Sequence, residues 1–407
     1  MREILKNIFA PILSLFIIMV GVSFFNSYIS LRVTAEGWNN FIAGSLTSAY
    51  YAGMMSGALY MERIIRQIGH IRSFSLFATT TSSAIILQGF FNSPFVWLFF
   101  RFLTGVGCAG LFVVIESWLL LLSTATTQGV VLSLYMVALY TAQSLSQFIL
   151  NFTSLTTLTA FNVTALFSCL SIVPVTLMRA AAPSSSTSEY VNIFYLFRKV
   201  PLGFLGNFVA GLVLSAFYAL GPVFARESGF SMFHISLILA GTVLGGMVLQ
   251  WPIGLCSDIM ERRKVIIITA MTLAALSLFI FFYPTMPFSL LLLSLFLWGG
   301  FSFTLYPISI TYCCDFFSSA GITSVTCAAL IIYGIGCVIG PLLAPIFMEL
   351  TTPFGLFLYS AFLALALGGF ALWKQRKLPE QNKETKEPYQ VLPGTTPQVS
   401  SLDPRQE

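Results

Sequence analysis

The sequence predicts an all-α integral membrane protein whose twelve transmembrane helices form two pseudo-symmetric six-helix bundles. Of its 407 residues, 57% are hydrophobic and only 9% are charged, whereas a soluble domain carries about 25% charged residues. The apolar residues fall into stretches of about 20, the length that a helix needs to cross a bilayer. A polar segment near the middle of the chain divides these stretches six and six.

The predicted spans are joined by short loops, so we expect no separate soluble domain. The spans are residues 7–30, 39–60, 73–92, 94–122, 128–151, 158–179, 201–222, 231–254, 265–283, 287–312, 322–347 and 351–373. The domains are then an N-terminal bundle (1–179), a cytoplasmic central loop (180–200), a C-terminal bundle (201–375) and a cytoplasmic tail (376–407). Because the tail mixes charges with Pro, Gln, Thr and Ser, we expect it to be disordered and to have no part in function.

The distribution of Lys and Arg predicts the orientation, since short basic loops stay on the cytoplasmic side of the membrane. Five basic clusters fall on one side, and only Arg32 and Arg226 lie opposite them. Both termini are therefore expected in the cytoplasm, with the protein in the plasma membrane, or in the inner membrane if the host is bacterial. The net charge of +5 follows from this bias, so we expect the lipid bilayer and no nucleic acid as a partner.

The two halves of the chain show weak internal similarity. Small and aromatic residues of the first half recur in the second half at a nearly constant separation. The separation is 197 positions in the second span (Gly44 with Gly241), 194 in the fourth (Gly105 with Gly299) and 193 in the fifth (Tyr140 with Tyr333). The order of the matches is the same in both halves. This pattern predicts a duplicated six-helix unit, which is a common construction among membrane transporters.

Three motifs resemble those of the major facilitator superfamily of transporters. They are its cytoplasmic loop signature, over residues 254–264; a fourth-helix motif in which an Arg opens a glycine ladder, at Arg101, Gly105, Gly107 and Gly110; and a Gly-x-x-x-Gly-Pro helix motif, at Gly336, Gly340 and Pro341. The glycines and the proline are expected to pack helices closely or to act as hinges. The resemblance covers residues 7–375.

Five shorter elements are similar to the YcaD-like branch of this superfamily. They are Leu31-Arg32 with Glu36-Gly37, Ser48-Ala-Tyr50-Tyr51-Ala-Gly53, Gly69-His70-Ile71-Arg72, Glu116-Ser117-Trp118 and Leu305-Tyr306-Pro307. The resemblance implies a secondary transporter that moves a small solute by alternating access, driven by a proton or solute gradient. A membrane receptor or scaffold that kept the fold but lost transport is the alternative.

Two departures from the superfamily pattern bear on function. In the first-half loop after Gly57, the position expected to hold the signature Asp is Met61, and the acid Glu62 comes one residue later. Gln143 and Gln147 occupy the positions that match Gly336 and Gly340 in the second half. The second departure weakens an assignment as a drug antiporter.

Arg101 and Glu116 are the most informative residues, because both lie inside the predicted fourth span. A charge in lipid costs from about 3 to more than 10 kcal/mol, so such residues are normally functional. They are 15 positions apart, or about 22 Å along a helix, and cannot pair. For Arg101, two interpretations remain open: it binds an anionic group or stabilises the charged form of a nearby acid, or it caps carbonyls of a neighbouring helix.

Glu116, the one carboxylate within a predicted span, also has two interpretations. Burial favours the neutral form of a carboxyl group, so Glu116 is a candidate carrier of a coupling proton. Alternatively, it is a structural tie to the cytoplasmic basic loop through Arg63 or Arg66.

The loop signature predicts a cytoplasmic gate, since charged clusters between helices can hold one conformation closed. Its candidate residues are Asp258, Arg262 and Arg263, with Glu62 and Arg63 in the first half. The alternative is a solvated positive-inside loop.

Uncharged polar residues in the spans complete the candidate list. Gln143, Gln147 and Asn207 either face a central cavity or bridge helices. The sequence contains no nucleophile with a base, no metal-binding spacing and no phosphate-binding loop, so we expect no enzyme activity, no cofactor and no metal. We expect a monomer.

Overall fold

In a computed structural model of the chain, the described residues are 2–123, 127–177, 198–317, 322–373, 389 and 394–396, and their regular structure is entirely helical. The first half contains α1 (Arg2–Ala35), α2 (Asn40–Ile68), α3 (His70–Gly89), α4 (Pro94–Leu122), α5 (Gln128–Ser146), a 3-10 helix (Gln147–Phe152), α6 (Thr159–Leu170) and α7 (Ile172–Thr176). The second half contains α8 (Pro201–Glu227), α9 (Met232–Ile259), α10 (Arg262–Phe282), α11 (Phe288–Cys314), α12 (Ile322–Leu350) and α13 (Gly355–Trp373).

Ten segments of the described chain are long and apolar enough to cross a membrane. Among the predicted spans, the second and third, now α2 and α3, do not meet that standard. α2 is rich in small residues and carries Glu62, Arg63 and Arg66 near its end, and α3 is rich in Ser and Thr. Both helices pack against α4, and there small and hydroxyl side chains allow close approach.

Local sequence explains where several helices begin and end. Asn39 caps α2 by accepting a hydrogen bond from the N–H of Ile42, and Ser231 caps α9 in the same way. Gly69 separates α2 from α3 with φ = 81°, a left-handed backbone conformation that favours glycine. Several helices run past the predicted spans, because a helix continues beyond the hydrocarbon that hydropathy detects. The last turns of α9, which reach Ile259, are an example.

The chain forms two compact units. One comprises residues 1–187 and 395–404, and the other comprises residues 188–394 and 405–407. The division at residue 187 falls within the predicted central loop. In the first unit α4 packs against α1, α2 and α3, and α1 packs against α5 and α6; in the second unit α11 packs against α8, α9 and α10, and α8 packs against α12 and α13. The same neighbour relations therefore recur in both units, as a duplication predicts.

The positions of the helices and their close contacts correct the predicted shift that relates α2 to α9. A Cβ built on Gly53 would collide with the carbonyl of Phe102, and a Cβ built on Gly245 would collide with the carbonyl of Phe296. Gly53 and Gly245 are therefore equivalent, which is a shift of 192 positions. The starts of α2 and α9, at Asn40 and Met232, differ by the same 192.

The predicted shift of 197 for this helix was wrong, because small residues recur along both helices and an alignment five positions out still superposes some of them. The correction changes which first-half residue matches the signature Asp258. That residue is Arg66, and the predicted Met61 is not equivalent to it.

Candidate functional site

Glycines fix the position of α4, the helix that carries both buried charges. A Cβ on Gly105 would overlap the carbonyl of Tyr50 in α2. On the other side, a Cβ on Gly107 would overlap the hydroxyl of Thr81, and one on Gly110 would overlap the ring of Phe77, both in α3. The glycine ladder thus lets α4 lie in close contact with two helices at once.

Arg101 is buried, with 1% of its surface exposed, and its contacts come from α1 and α2. Its Nη2 donates a hydrogen bond to Oδ1 of Asn26 at 2.7 Å. The guanidinium carbon lies 4.7 Å from the ring centre of Tyr50 and 5.7 Å from that of Phe25, within range of cation–π attraction. Its Nε and Nη1 are buried and have no hydrogen-bond partner in the described part of the chain.

Glu116 is fully buried, and its hydrogen-bond donors among the described residues are all hydroxyl groups. Tyr135 in α5 donates to Oε1 at 2.7 Å. Thr395 donates to the same oxygen, and Thr396 donates to Oε2. Among the described residues Glu116 has no contact with Arg63 or Arg66, the predicted structural tie; Arg66 pairs with Glu62, with Nη2 and Oε1 2.6 Å apart, and Arg63 is exposed.

Two of the YcaD-like elements meet beside Glu116. Nε2 of His70, at the start of α3, lies 3.1 Å from the hydroxyl of Ser117. The ring of His70 lies 5.8 Å from that of Trp118. Ser117 also donates to the carbonyl of Val113 at 2.6 Å. The buried end of α4 is thereby joined to the start of α3.

A third element of the same resemblance joins the far end of α1 to other segments. Arg32 and Glu36 form an ion pair with Nη2 and Oε1 2.5 Å apart. Asn92 donates to the second oxygen of Glu36 at 2.9 Å, and Arg32 donates to the carbonyl of Leu155. These contacts fix α1 to the segments that precede α4 and α6.

The loop signature forms a charged cluster in the second unit. Arg262 is fully buried; its Nη2 lies 3.1 Å from Oδ1 of Asp258, and its Nη1 pairs with Asp315. Arg263 pairs with Glu261, with Nη2 and Oε1 2.5 Å apart. The backbone N–H of Tyr389 donates to Asp258 at 2.8 Å.

The corresponding region of the first unit carries a different arrangement. Glu62 and Arg66 form an i,i+4 pair with 37% and 43% of their side chains exposed, and Arg63 is exposed. An exposed pair of this kind contributes about 0–1 kcal/mol. The buried charge cluster at the helix ends is therefore a property of the second unit, within the described residues.

The uncharged candidates make mainly local hydrogen bonds. Gln147 donates to the carbonyl of Gln143 and to Ser146, both at 3.1 Å, at the point where α5 passes into the 3-10 helix. Asn207 donates to the carbonyl of Gly203 at 2.7 Å. The side-chain oxygens Oε1 of Gln147 and Oδ1 of Asn207 are buried and without a partner among the described residues.

The second-half positions that match Gln143 and Gln147 pack helices closely. A Cβ on Gly336 would overlap the carbonyl of Phe208 in α8, and one on Gly340 would overlap the carbonyl of Leu212. Pro341 follows directly inside α12. The close α8–α12 approach thus uses glycines at positions where α5 has glutamines.

Sequence reasoning missed five partners of the charged residues, namely Asn26, Tyr135, Asp315, Thr395 and Thr396. Asn26 had a signal, since an Asn inside an apolar span is costly unless it bonds. Asp315, which directly follows an apolar span, had a weaker one. The two threonines had none, because their segment is polar throughout. In the described residues, no group of three or more His, Cys, Asp or Glu side chains could hold a metal ion.

The fold and these motifs agree with comparisons to known proteins. The family model of the Major Facilitator Superfamily matches residues 12–232 and 203–402. The chain belongs to the Major Facilitator Superfamily. It is a multi-pass membrane protein of a transporter family, and the resemblance to the YcaD-like branch is confirmed.

Relatives within the superfamily include MFS-type transporters described as uncharacterized. YcaD of Escherichia fergusonii is 27% identical over 338 residues, which are 82% of this chain and 87% of that protein. YE1530 of Yersinia enterocolitica is 27% identical over 376 residues, 91% of this chain and 95% of that protein.

Two solved structures of transporters share the fold. The nucleoside transporter NupG superposes with a TM-score of 0.77 at 14% identity, covering 91% of this chain and 99% of its own. A bacterial homologue of the human lysosomal transporter Spinster superposes with a TM-score of 0.69 at 12% identity, covering 93% of this chain and 97% of its own.

Proposed function

We propose that the chain is a secondary active transporter that moves a small solute by alternating access, coupled to a proton or solute gradient. It lies in the plasma membrane, or in the inner membrane of a bacterium, with both termini in the cytoplasm. Membership of the superfamily and the buried charges of α4 support this proposal. The solved structures of similar fold are those of different transporters, so the fold alone does not identify the solute.

The observation that carries the proposal is the unused hydrogen-bonding capacity of Arg101. A guanidinium has five N–H donors, and in the described residues only Nη2 of Arg101 has an acceptor, Asn26. A buried donor without an acceptor costs about 1–3 kcal/mol. An anionic group of a solute would satisfy these donors, and carboxylate and phosphate match the planar geometry of Arg.

The competing interpretation of Arg101 finds less support. Capping a neighbouring helix requires a carbonyl oxygen as acceptor, and the acceptor of Arg101 among the described residues is a side-chain amide. The rings of Tyr50 and Phe25 attract the cation without using its N–H donors. We therefore assign Arg101 to solute binding.

A cytoplasmic gate is proposed at the charged cluster of the second unit. Arg262, at the start of α10, lies between the carboxylates of Asp258 and Asp315, so a separation of the end of α9 from the end of α11 would break one of its two pairs. Arg263 extends the cluster, and Glu62 and Arg63 are the first-half candidates. Such a network stabilises one conformation and has to be released for another to form.

Flux into reconstituted vesicles tests the function. Purified protein is screened against anionic and neutral metabolites and drugs, with and without an imposed pH gradient. We expect gradient-dependent flux of a solute with an anionic group, which Arg101→Ala abolishes and Arg101→Lys reduces, because Lys keeps the charge but loses the planar fork. The exposed Arg226→Ala is the matched control.

Two outcomes would contradict the proposal. Saturable binding of a solute without flux would identify a receptor or scaffold with a transporter fold. Flux that Arg101→Ala leaves unchanged would remove Arg101 from solute binding.

A further inference from the structure

The hydroxyl groups of two adjacent threonines in the C-terminal segment contact the buried carboxyl group of Glu116 in α4. Thr395 donates to Oε1 of Glu116 and Thr396 donates to Oε2, so neighbouring hydroxyls satisfy both oxygens of one carboxylate. Thr396 is 1% exposed, and Tyr135 supplies the third hydroxyl at 2.7 Å. The tail that was expected to have no part in function thus supplies two of the three hydroxyl groups that contact Glu116.

The same segment makes separate contacts in the second unit. The backbone N–H of Tyr389 donates to Asp258 at 2.8 Å, and the ring of Tyr389 fills the space that a Cβ on Gly254 would need. Gly394 lies against the ring of Tyr333. In the second unit, the acid proposed for the gate therefore accepts a hydrogen bond from Tyr389.

The chemistry of the α4 site explains why hydroxyl groups fit it. A buried carboxylate needs hydrogen-bond donors in place of water. Within the described part of the chain no basic side chain bonds to Glu116, and the donor that α5 supplies is the phenolic hydroxyl of Tyr135. Neutral donors satisfy the carboxylate without fixing a counter-charge beside it, so they can be exchanged for other neutral donors.

We propose that Glu116 and Tyr135 form a binding site for aliphatic hydroxyl groups, and that Thr395 and Thr396 occupy it as an internal ligand. Thr395 and Thr396 then compete with any other hydroxyl-bearing ligand for Glu116, and they inhibit the protein while they are in place. Occupation by the threonines does not depend on transport. That the competing ligand is a transported solute rests on the proposed function.

Chemical labelling of Glu116 tests the occupation without any knowledge of the solute. Dicyclohexylcarbodiimide, an apolar reagent that adds to carboxyl groups within membranes, is applied to the purified full chain, and modification of Glu116 is followed by mass spectrometry. We expect severalfold faster labelling after truncation at Leu378, and likewise in the double variant Thr395→Val with Thr396→Val. Equal rates in the full chain and in both variants would overturn the proposal.

Matched controls separate this effect from general loosening of the protein. Thr156→Val with Thr157→Val changes an adjacent, exposed threonine pair in the same unit and is expected to leave labelling unchanged. Glu116→Gln should abolish the modified peptide. If the control pair accelerated labelling as much as the tail variants, the internal-ligand assignment would fail.

Added ligands test the hydroxyl chemistry on the truncated chain. A synthetic peptide of residues 389–396 is expected to slow the labelling of Glu116 again, and mannitol is expected to slow it partly. The same peptide with valine at both threonine positions, and betaine as a solute without hydroxyl groups, are expected to have no effect. Protection by the valine peptide equal to that by the threonine peptide would refute hydroxyl recognition.

Flux distinguishes failure of this proposal from failure of the proposed function. In vesicles, truncation at Leu378 should raise the rate of any flux that the full chain supports. A chain without flux in which truncation still exposes Glu116 would leave the internal ligand supported and the transporter proposal contradicted. If truncation left the labelling of Glu116 unchanged while the chain supported flux, the internal-ligand proposal would be contradicted and the transporter proposal would be supported.

Discussion

At the scale of single residues, the two buried ionisable side chains of α4 contact neutral groups in the part of the chain that the structure describes. Arg101 contacts the side-chain amide of Asn26 and two aromatic rings, and Glu116 accepts hydrogen bonds from three hydroxyl groups. Along the helix they are about 22 Å apart, which is too far for them to neutralise each other. Burying an ionised group away from an opposite charge is costly, so we expect both residues to have a function.

Removing the amide beside Arg101 should destabilise the protein measurably. Asn26→Ala leaves a further buried donor of Arg101 unsatisfied, and a hydrogen bond to a charged group contributes about 1.5–3 kcal/mol. We expect a lower midpoint of thermal unfolding in detergent and weaker binding of an anionic solute. Asn162→Ala, on an exposed face of α6, is the control; an equal effect of both changes would contradict a specific role for Asn26.

Neutralising Glu116 tests proton coupling. Glu116→Gln keeps the shape and the hydrogen-bonding oxygen of the side chain but cannot take up or release a proton. We expect uptake driven by a pH gradient to be lost while solute exchange at equal pH on both sides persists. Transport whose rate and pH dependence are unchanged in this variant would show that Glu116 carries no coupling proton.

At the scale of helices, glycines decide which helices come into close contact. Gly105 allows α4 to contact α2, and Gly299 allows α11 to contact α9, since a Cβ on Gly299 would overlap the carbonyl of Thr242. Hydropathy does not select these pairs, because lipid is as apolar as the helix surfaces. Close backbone packing selects them.

Adding one methyl group to this contact should be costly. Gly105→Ala places a Cβ against the backbone of Tyr50, and forcing extra volume into a packed interior costs about 1–3 kcal/mol. Gly369→Ala, inside α13 with no atom near the added Cβ, should be neutral or stabilising by up to about 1 kcal/mol through helix propensity. Thermal unfolding in detergent measures both changes, and similar midpoints would rule out the packing argument.

The charged cluster at the ends of α9 and α11 predicts a contrast between the two units. Asp315→Asn removes a fully buried partner of Arg262, and breaking a buried pair costs about 3–5 kcal/mol. Glu62→Gln removes an exposed partner of Arg66 and should cost less than about 1 kcal/mol.

Asp258→Asn should shift the reactivity of a cysteine placed at the cytoplasmic mouth toward impermeant maleimides. Unchanged accessibility in this variant would remove the gate assignment.

At the scale of the whole molecule, the two units share a framework but not their chemistry. With the shift of 194 that relates α4 to α11, Arg101 corresponds to Leu295 and Glu116 to Ile310, and both of these are buried and apolar. The signature Asp258 corresponds to Arg66. The buried charges of the spans therefore lie in the first unit and the buried loop cluster in the second, so the halves are expected to have different tasks.

The predicted orientation can be tested on the whole chain. In a variant lacking the native cysteines, Gln67→Cys lies at the exposed end of α2, and Ser154→Cys lies in the exposed segment before α6. We expect an impermeant maleimide outside intact cells to label position 154 only, because the basic loop at position 67 is cytoplasmic. Labelling at 67 and not at 154 would invert the topology.

Much of the fold follows from the sequence, because hydropathy and charge bias are local properties. The fourth span was predicted at 94–122 and is α4, and the family followed from Arg101 with its glycines and from the loop signature. Register between the halves did not follow, since repeated small residues align equally well at several shifts. The helices α2 and α3 are less hydrophobic than the other predicted spans, because they pack against α4 where a more apolar helix would face lipid.

The sequence by itself therefore determined that this is a multi-pass transporter-family protein with two charges inside one span. Only the tertiary structure decided what those charges contact. Asn26 is 75 positions from Arg101, Asp315 is 53 from Arg262, and Thr395 is 279 from Glu116. A local pattern can reveal that a buried charge needs a partner, but the partner is chosen by packing between segments that are distant in sequence, and no local pattern encodes that.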